Sequence, residues 1–442
     1  MTDLGTRIDN LLPAALDDLT RLVQIASISS QPDHAEQVQA SADEVMRLLS
    51  EAGCPDVKLV REGGAPAVIA KFPAPADAPT VCLYAHHDVQ PTGPQSGWTS
   101  DPFAPEVRDG RLYGRGTADD KGGFIAHLLA LRAFDGRPPV GVTLFIEGEE
   151  EVGSPSLATI LERHRDDLAA DVYVIMDSVN WEAGKPAFTT TLRGLADVVV
   201  EVSTLAHPLH SGQFGGLVPD ALTTLVKLLA TLTDEQGACA IEGLGTGRAA
   251  DLDYPEDRLR EEAGLGEGVE FVGAGSFVDR MWAQPSVSVL AIDAPSVEEA
   301  SNTLQPTARA KVSVRVAPGD DAHAALAALK AHLERHAPHG AAIDFGAESA
   351  GQPGIIPFEG LVCEAAQAAW GEAFGIEPVF VGCGGSIPMV ADFQQVFPEA
   401  TVLVTAVTDP DSRMHGLDES LEVADLGHAA LAEALLMQRL AP

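Results

Sequence analysis

Unbroken apolar runs alternate with helically spaced ones between residues 60 and 180. PAVIAKF, TVCLYA, GVTLFI and DVYVIM are short and continuous, while FIAHLLALRAF, starting near Gly122, carries apolar positions at helical intervals. Continuous strands separated by helices predict a mainly parallel sheet sandwiched by helices. Upstream, Ile8, Leu11, Leu12, Leu16, Leu19 and Val23 repeat at helical spacing with acids between them. That pattern predicts an amphipathic helix rather than a secretory leader.

The texture changes after Thr190. LADVVVEVSTLA, SVSVLAI and ARAKVSVRVA read as half-exposed strands, and PDALTTLVKLLATL and DAHAALAALKAHLERHA as amphipathic helices, an order that fits a small split β-α-β sandwich. From about Gln352 the first texture returns, with a helix through FEGLVCEAAQAAWGEAF, the turn VGCGGSIP, a strand TVLVTAV and a final helix over LGHAALAEALLMQRL. The expected architecture is therefore an α/β catalytic domain formed by 1–190 and 353–442, interrupted by a smaller α+β domain at 191–352. Residues 235–282, rich in Gly and acids, read as an elaborated loop of the insert.

At 442 residues the chain has the length of two or three domains at about 150 residues each, which agrees with two. Acidic residues outnumber basic ones 65 to 28, for a formal charge of -37, and such a surface repels a phosphate backbone. Nucleic acid is excluded as a partner. No stretch approaches the roughly 18 apolar residues of a membrane span, so a cytoplasmic protein without membrane contact is expected. The five cysteines (Cys54, Cys82, Cys239, Cys363, Cys383) are far apart and form no C-x-x-C pair, so they indicate neither a disulfide framework nor a thiolate metal site.

The candidate chemistry sits at the ends of the apolar runs. TVCLYA leads into His86-His87-Asp88, GVTLFI into Glu147-Gly148-Glu149-Glu150-Glu151, DVYVIM into Asp177, and TVLVTAV precedes His415. Ligands collect beyond the carboxyl ends of parallel strands. Imidazoles and carboxylates gathered there, with Asp119 from the glycine-rich turn YGRGTADDKGG, suit two divalent cations plus a general base. Asp88, two residues after His86, can accept the second imidazole proton and fix the tautomer. No G-x-S-x-G elbow precedes a helix, and Walker and Rossmann phosphate loops are absent.

LYAHHDVQP, YGRGTADDKGG, EGEEEVGS, VIMDS, LHSGQFGG, GGSIP and the final MHG together resemble the dinuclear zinc metallopeptidases, the family of the carnosinase-like dipeptidases, glutamate carboxypeptidase, aminoacylase, acetylornithine deacetylase and succinyl-diaminopimelate desuccinylase. The resemblance implies two divalent ions, zinc with manganese or cobalt as alternatives. It implies that Asp119 bridges them, with His86 and Asp177 completing one ion and Glu151 and His415 the other. Glu150 becomes the general base by motif alignment, not by spacing. The peptide after Asp119 is expected to be cis.

In the insert, the resemblance makes His210 a residue that reaches a partner subunit's active site to stabilise an oxyanion, which implies a homodimer through this lid. It makes Arg315 the arginine that grips a substrate carboxylate, and Thr303 a further substrate contact. Gly384, Gly385 and Ser386 can offer N–H groups and a hydroxyl to an anion. One position departs from the pattern: Cys383 stands where carnosinase-like members often carry a glutamate that holds the substrate's free amino group. The expected activity is hydrolysis of dipeptides or short peptides. Hydrolysis of N-acyl amino acids is the alternative that Cys383 keeps open, and a non-catalytic metal-binding homologue is a third reading.

Overall fold

The computed structural model describes residues 3–250, 252–385 and 388–442. Ser386 lies outside the described residues. The backbone divides into two compact units, Met1–Thr190 with Ile356–Val381 and Pro388–Pro442, and Thr191–Ile355 with Gly382–Ile387.

In the first unit a six-stranded sheet runs in the order Asp56–Val60, Ala67–Phe72, Gly141–Glu147, Thr80–His86, Val172–Ile175 and Thr401–Val404. The last four are parallel to one another. Ala67–Phe72, within the PAVIAKF run grouped above with the parallel strands, instead runs antiparallel to Gly141–Glu147. An unbroken apolar run reports burial on both faces and carries no information on direction. Asp56–Val60, which extends the sheet antiparallel, is polar enough to have escaped the sequence pattern.

The helix Lys121–Arg132 is buried from Lys121 to Leu131, because every side of it meets protein. Its N-terminal lysine is satisfied internally: Lys121 Nζ donates to the carbonyls of Leu22 and Ile25, both at 2.8 Å, at the end of helix Leu4–Val23. Burying an ammonium without such acceptors would cost several kcal/mol or force its deprotonation; even so, burial lowers its pKa to about 7. Helices Leu361–Phe374 and Val423–Leu440 complete the same apolar core. Because four strands share one direction, His86, Glu147 and the residues after Ile175 and Val404 emerge at one edge. No helix among the described residues is long and apolar enough to cross a membrane.

The second unit is built on a four-stranded antiparallel sheet in the order Ser286–Asp293, Thr307–Val316, Gly194–Ser203, Ala342–Gly351. Val198, Val200 and Val202 alternate inward with Val312 and Val314 against helices Ala221–Leu229 and Ala322–Arg335. Both helices start at an aspartate that accepts a backbone N–H two or three residues into the helix: Asp220 from Thr223, Asp321 from Ala324. The span 235–282 is not all loop, since it holds a helix at Glu256–Glu262 and a π-turn at Asp279–Ala283.

Candidate dinuclear metal centre

Asp119 is the hinge of the site. Its Oδ1 lies 3.0 Å from His86 Nε2, and its Oδ2 lies 3.0 Å from His415 Nε2. Each carboxylate oxygen thus faces a different imidazole. On the His86 side, Asp177 Oδ1 is 4.0 Å from Nε2; on the His415 side, Glu151 Oε2 is 3.2 Å from Nε2. Tetrahedral ligands with bonds of about 2.1 Å stand about 3.4 Å apart; three of these separations fall just inside that spacing and the His86–Asp177 one lies outside it, an arrangement of donors suited to two sites that share Asp119. Donor atoms within 4.8 Å of one another also form the sets His86–Glu150–Asp177 and His86–Asp119–Glu151.

The electrostatics point the same way. Burial and the neighbouring carboxylates push Asp177 well above the usual range and Glu150 up to about 7. Burial pushes Asp119 upward too, but the hydrogen bonds from His415 and His86 outweigh it and hold that carboxyl low. Asp119, Glu150, Glu151 and Asp177 carry four negative charges when ionised, a burden that a buried pocket sustains only with cations among them. Two divalent ions supply the four compensating charges. The donor set therefore fits the pair of ions.

The three consecutive glutamates separate cleanly. Glu149 Oε1 accepts the Ser156 N–H at 2.7 Å and the Ser156 hydroxyl, and its Oε2 accepts the Ala65 N–H at 2.8 Å, so it anchors the turn and faces away from the ligands. Glu151 turns to His415 and also accepts from Gln90 Nε2 at 2.8 Å. Glu150 remains beside His86 and Asp177. Gly148 makes the turn possible, because a Cβ there would lie 2.3 Å from the Pro66 carbonyl oxygen.

Asp88 acts somewhat differently from the sequence expectation. His86 Nδ1 makes its hydrogen bond to the Asp88 backbone carbonyl at 3.1 Å, with the carboxylate Oδ1 at 3.3 Å. Either contact fixes the proton on Nδ1 and frees Nε2 for a cation. The carboxylate itself accepts the N–H groups of Glu150 at 3.3 Å and Glu151 at 3.1 Å, so one residue orients a histidine and the glutamate turn together. The Asp119–Asp120 peptide is cis, and His415 takes a left-handed backbone with φ 60.

Sequence reasoning passed over Arg115 and Glu419. Both are buried and paired at 2.6 Å. Arg115 lay in plain sight between two glycines of YGRGTADDKGG, but nothing in the sequence indicated its partner 304 residues away.

The remaining candidates lie in the second unit. His210 is exposed, pairs with Thr303 in a short antiparallel ladder, and accepts the Gly212 N–H on Nδ1 at 3.0 Å. A neutral ring accepting on Nδ1 carries its proton on Nε2, which is then an outward donor. Arg315 stands on an interior strand opposite Ser286 and Leu195, rather than at an edge. Arg193 reaches the same place, donating to Ser286 Oγ at 3.1 Å and to the Gly384 carbonyl at 3.1 Å. Cys383 lies near both guanidiniums, and among the described residues no carboxylate pairs with either. The Gly385 N–H, anticipated as an anion donor, is turned onto Cys383 Sγ at 3.4 Å.

Comparison with known proteins gives the family. Residues 82–439 match the model of peptidase family M20/M25/M40. The chain is 34% identical over 424 residues to a cysteinylglycine-S-conjugate dipeptidase of Corynebacterium striatum, covering 94% of this chain and 93% of that one. It is 30% identical over 362 residues to the Beta-Ala-His dipeptidase of Homo sapiens, covering 77% and 70%. The crystal structure of human carnosine dipeptidase 1 superimposes with a TM-score of 0.85 at 25% identity, over 99% of this chain and 98% of that one. The chain is a hydrolytic enzyme belonging to peptidase family M20/M25/M40.

Proposed function

We propose that this protein is a metal-dependent dipeptidase in which Glu150 is the general base. The observation that carries the reading is the division of Asp119 between His86 and His415 with Glu150 alongside. His86 and Asp177 would hold one divalent ion, Glu151 and His415 the other, and Asp119 both. When bound, such a pair polarises a scissile carbonyl and acidifies water. Zinc suits the mixed imidazole and carboxylate set, and manganese or cobalt would be accepted by the same donors.

The residues of the chain do the rest. Asp88 keeps His86 in one tautomer and holds the Glu150–Glu151 turn. Glu150, beside His86 and Asp177, takes the proton from the attacking water and returns it to the leaving amine. Arg315 clamps the substrate carboxylate, with Thr303 and Gly384 as further substrate contacts. His210, with a donor on Nε2, serves the oxyanion in the partner's site of a homodimer.

Dimerisation through the lid at 191–352 is supported by the edge strand Ser286–Asp293, which exposes Val289, Leu290 and Ile292. A cytoplasmic location is supported by five free cysteines.

The surroundings of Cys383 favour a second reading, hydrolysis of N-acyl amino acids. A thiol near two guanidiniums offers no carboxylate to a free amino group. A panel of dipeptides set against N-acetyl and N-succinyl amino acids separates the two. Turnover of dipeptides is the expected outcome, and turnover confined to acylated compounds sinks the dipeptidase reading.

A further inference from the structure

We infer that the buried pair Arg115–Glu419 is a positioning device for the metal centre, setting where Asp119 and His415 stand before any ion arrives. The inference rests on the reading that these residues hold metal, but not on the identity of the substrate.

Glu419 is fully buried, and its Oε1 accepts three backbone N–H groups, from Gly116 at 3.0 Å, Ala118 at 3.0 Å and Asp119 at 3.1 Å. Its Oε2 accepts from Arg115 Nη1 at 2.6 Å. Arg115 then donates through Nη2 to the carbonyls of Gly416 at 3.0 Å and Pro91 at 3.2 Å. The Glu419 carbonyl accepts the Gly114 N–H at 2.9 Å.

Three segments are therefore tied to one ion pair. The first follows His86 and Asp88, the second carries Asp119, and the third carries His415. Three amides converging on one oxygen fix the backbone path up to Asp119 itself, so the direction of its carboxylate is set by main chain as well as by rotamer. The Gly416 carbonyl adjoins His415, so the same guanidinium that balances Glu419 also holds the imidazole's loop. A buried pair serving only stability would have no need to touch three ligand-bearing segments, and buried pairs are weak contributors to stability in any case.

The test measures metal binding rather than turnover. Zinc is titrated by calorimetry into the chelator-stripped full-length protein, and the absorption spectrum of the cobalt-loaded protein reports ligand geometry. Glu419→Gln keeps an acceptor for the amides but removes the charge; Arg115→Lys keeps the charge but loses the fork. Glu433→Gln, which alters the buried His127–Glu433 pair, controls for loss of a buried pair elsewhere. The expected result is binding at least about tenfold weaker for one or both ions in Glu419→Gln and Arg115→Lys, with an altered cobalt spectrum, while Glu433→Gln binds as wild type does.

Affinities within twofold of wild type in Glu419→Gln and Arg115→Lys overturn the inference, as does an equal loss in Glu433→Gln. Should Glu419→Gln not fold, Arg115→Lys decides alone. Wild type that binds two ions yet cleaves no dipeptide defeats the dipeptidase reading and leaves this one standing. Wild type that binds fewer than two ions defeats both.

Discussion

Glu149 accepts the backbone N–H of Ser156 at 2.7 Å, and that bond decides which of three adjacent glutamates is available for chemistry. A carboxylate committed to the start of helix Leu157–Arg163 and to Ala65 cannot also take a proton from water. Glu149→Ala should therefore lower stability by about 1–3 kcal/mol through its orphaned amides. Denaturant unfolding of the metal-loaded protein measures it. An unchanged midpoint would contradict the anchoring role.

Glu150→Gln should behave in the opposite way. The turn is held by Asp88 and Glu149, so folding and both metals should persist while kcat falls by about 10²–10⁴-fold. Metal content and initial rates on one preparation suffice. Retention of more than a tenth of the activity would remove Glu150 from the role of base.

Exhaustive chelation should abolish hydrolysis and lower the melting temperature together, because crowded carboxylates then face one another without compensation. Adding back zinc, manganese or cobalt should restore both. Full activity after verified removal of metal would end the two-ion reading.

Glu147 gives a pH dependence separate from turnover. Burial foremost, then the charges of Asp88 and Glu150, raise its folded pKa to about 8, against the opposing hydrogen bond from Tyr84. The folded state keeps a proton that the unfolded chain releases near pH 4.5, so this group makes stability decline as pH rises from about 4.5 to about 8 and level off above. Glu147→Gln should equal wild type near pH 4 and be more stable than it at pH 8, measured by unfolding midpoints. Equal pH profiles for the two proteins would refute the assignment.

Gly148→Ala should shift the glutamate turn, because the added methyl would collide with the Pro66 carbonyl, which belongs to backbone and yields little. Loss of both stability and kcat is expected; a variant with wild-type values in both would show that the turn tolerates the shift.

Much of this centre was legible because parallel strands deliver their ends to one edge, so the residues following TVCLYA, GVTLFI and DVYVIM were already suspects. What stayed hidden depends on partners far along the chain. The contact of Glu419 with the Asp119 loop spans 300 residues, and no local pattern encodes it. Glu149 and Glu150 have the same composition around them and differ only in what the fold brings near. The strand Ala342–Gly351 was missed because AIDFGAESAG mixes glycine, serine and acids on an outer strand where little burial is required. Ala67–Phe72 showed its burial but not its direction.

The tie between Glu419 and the turn before Asp119 also bears on biosynthesis. A growing polypeptide can shape its early strands as they leave the ribosome, but the backbone at Asp119 cannot gain its Glu419 acceptor until residue 419 has been made. Any chain cut short before that point leaves the amides of Gly116, Ala118 and Asp119 without the oxygen they share in the finished fold.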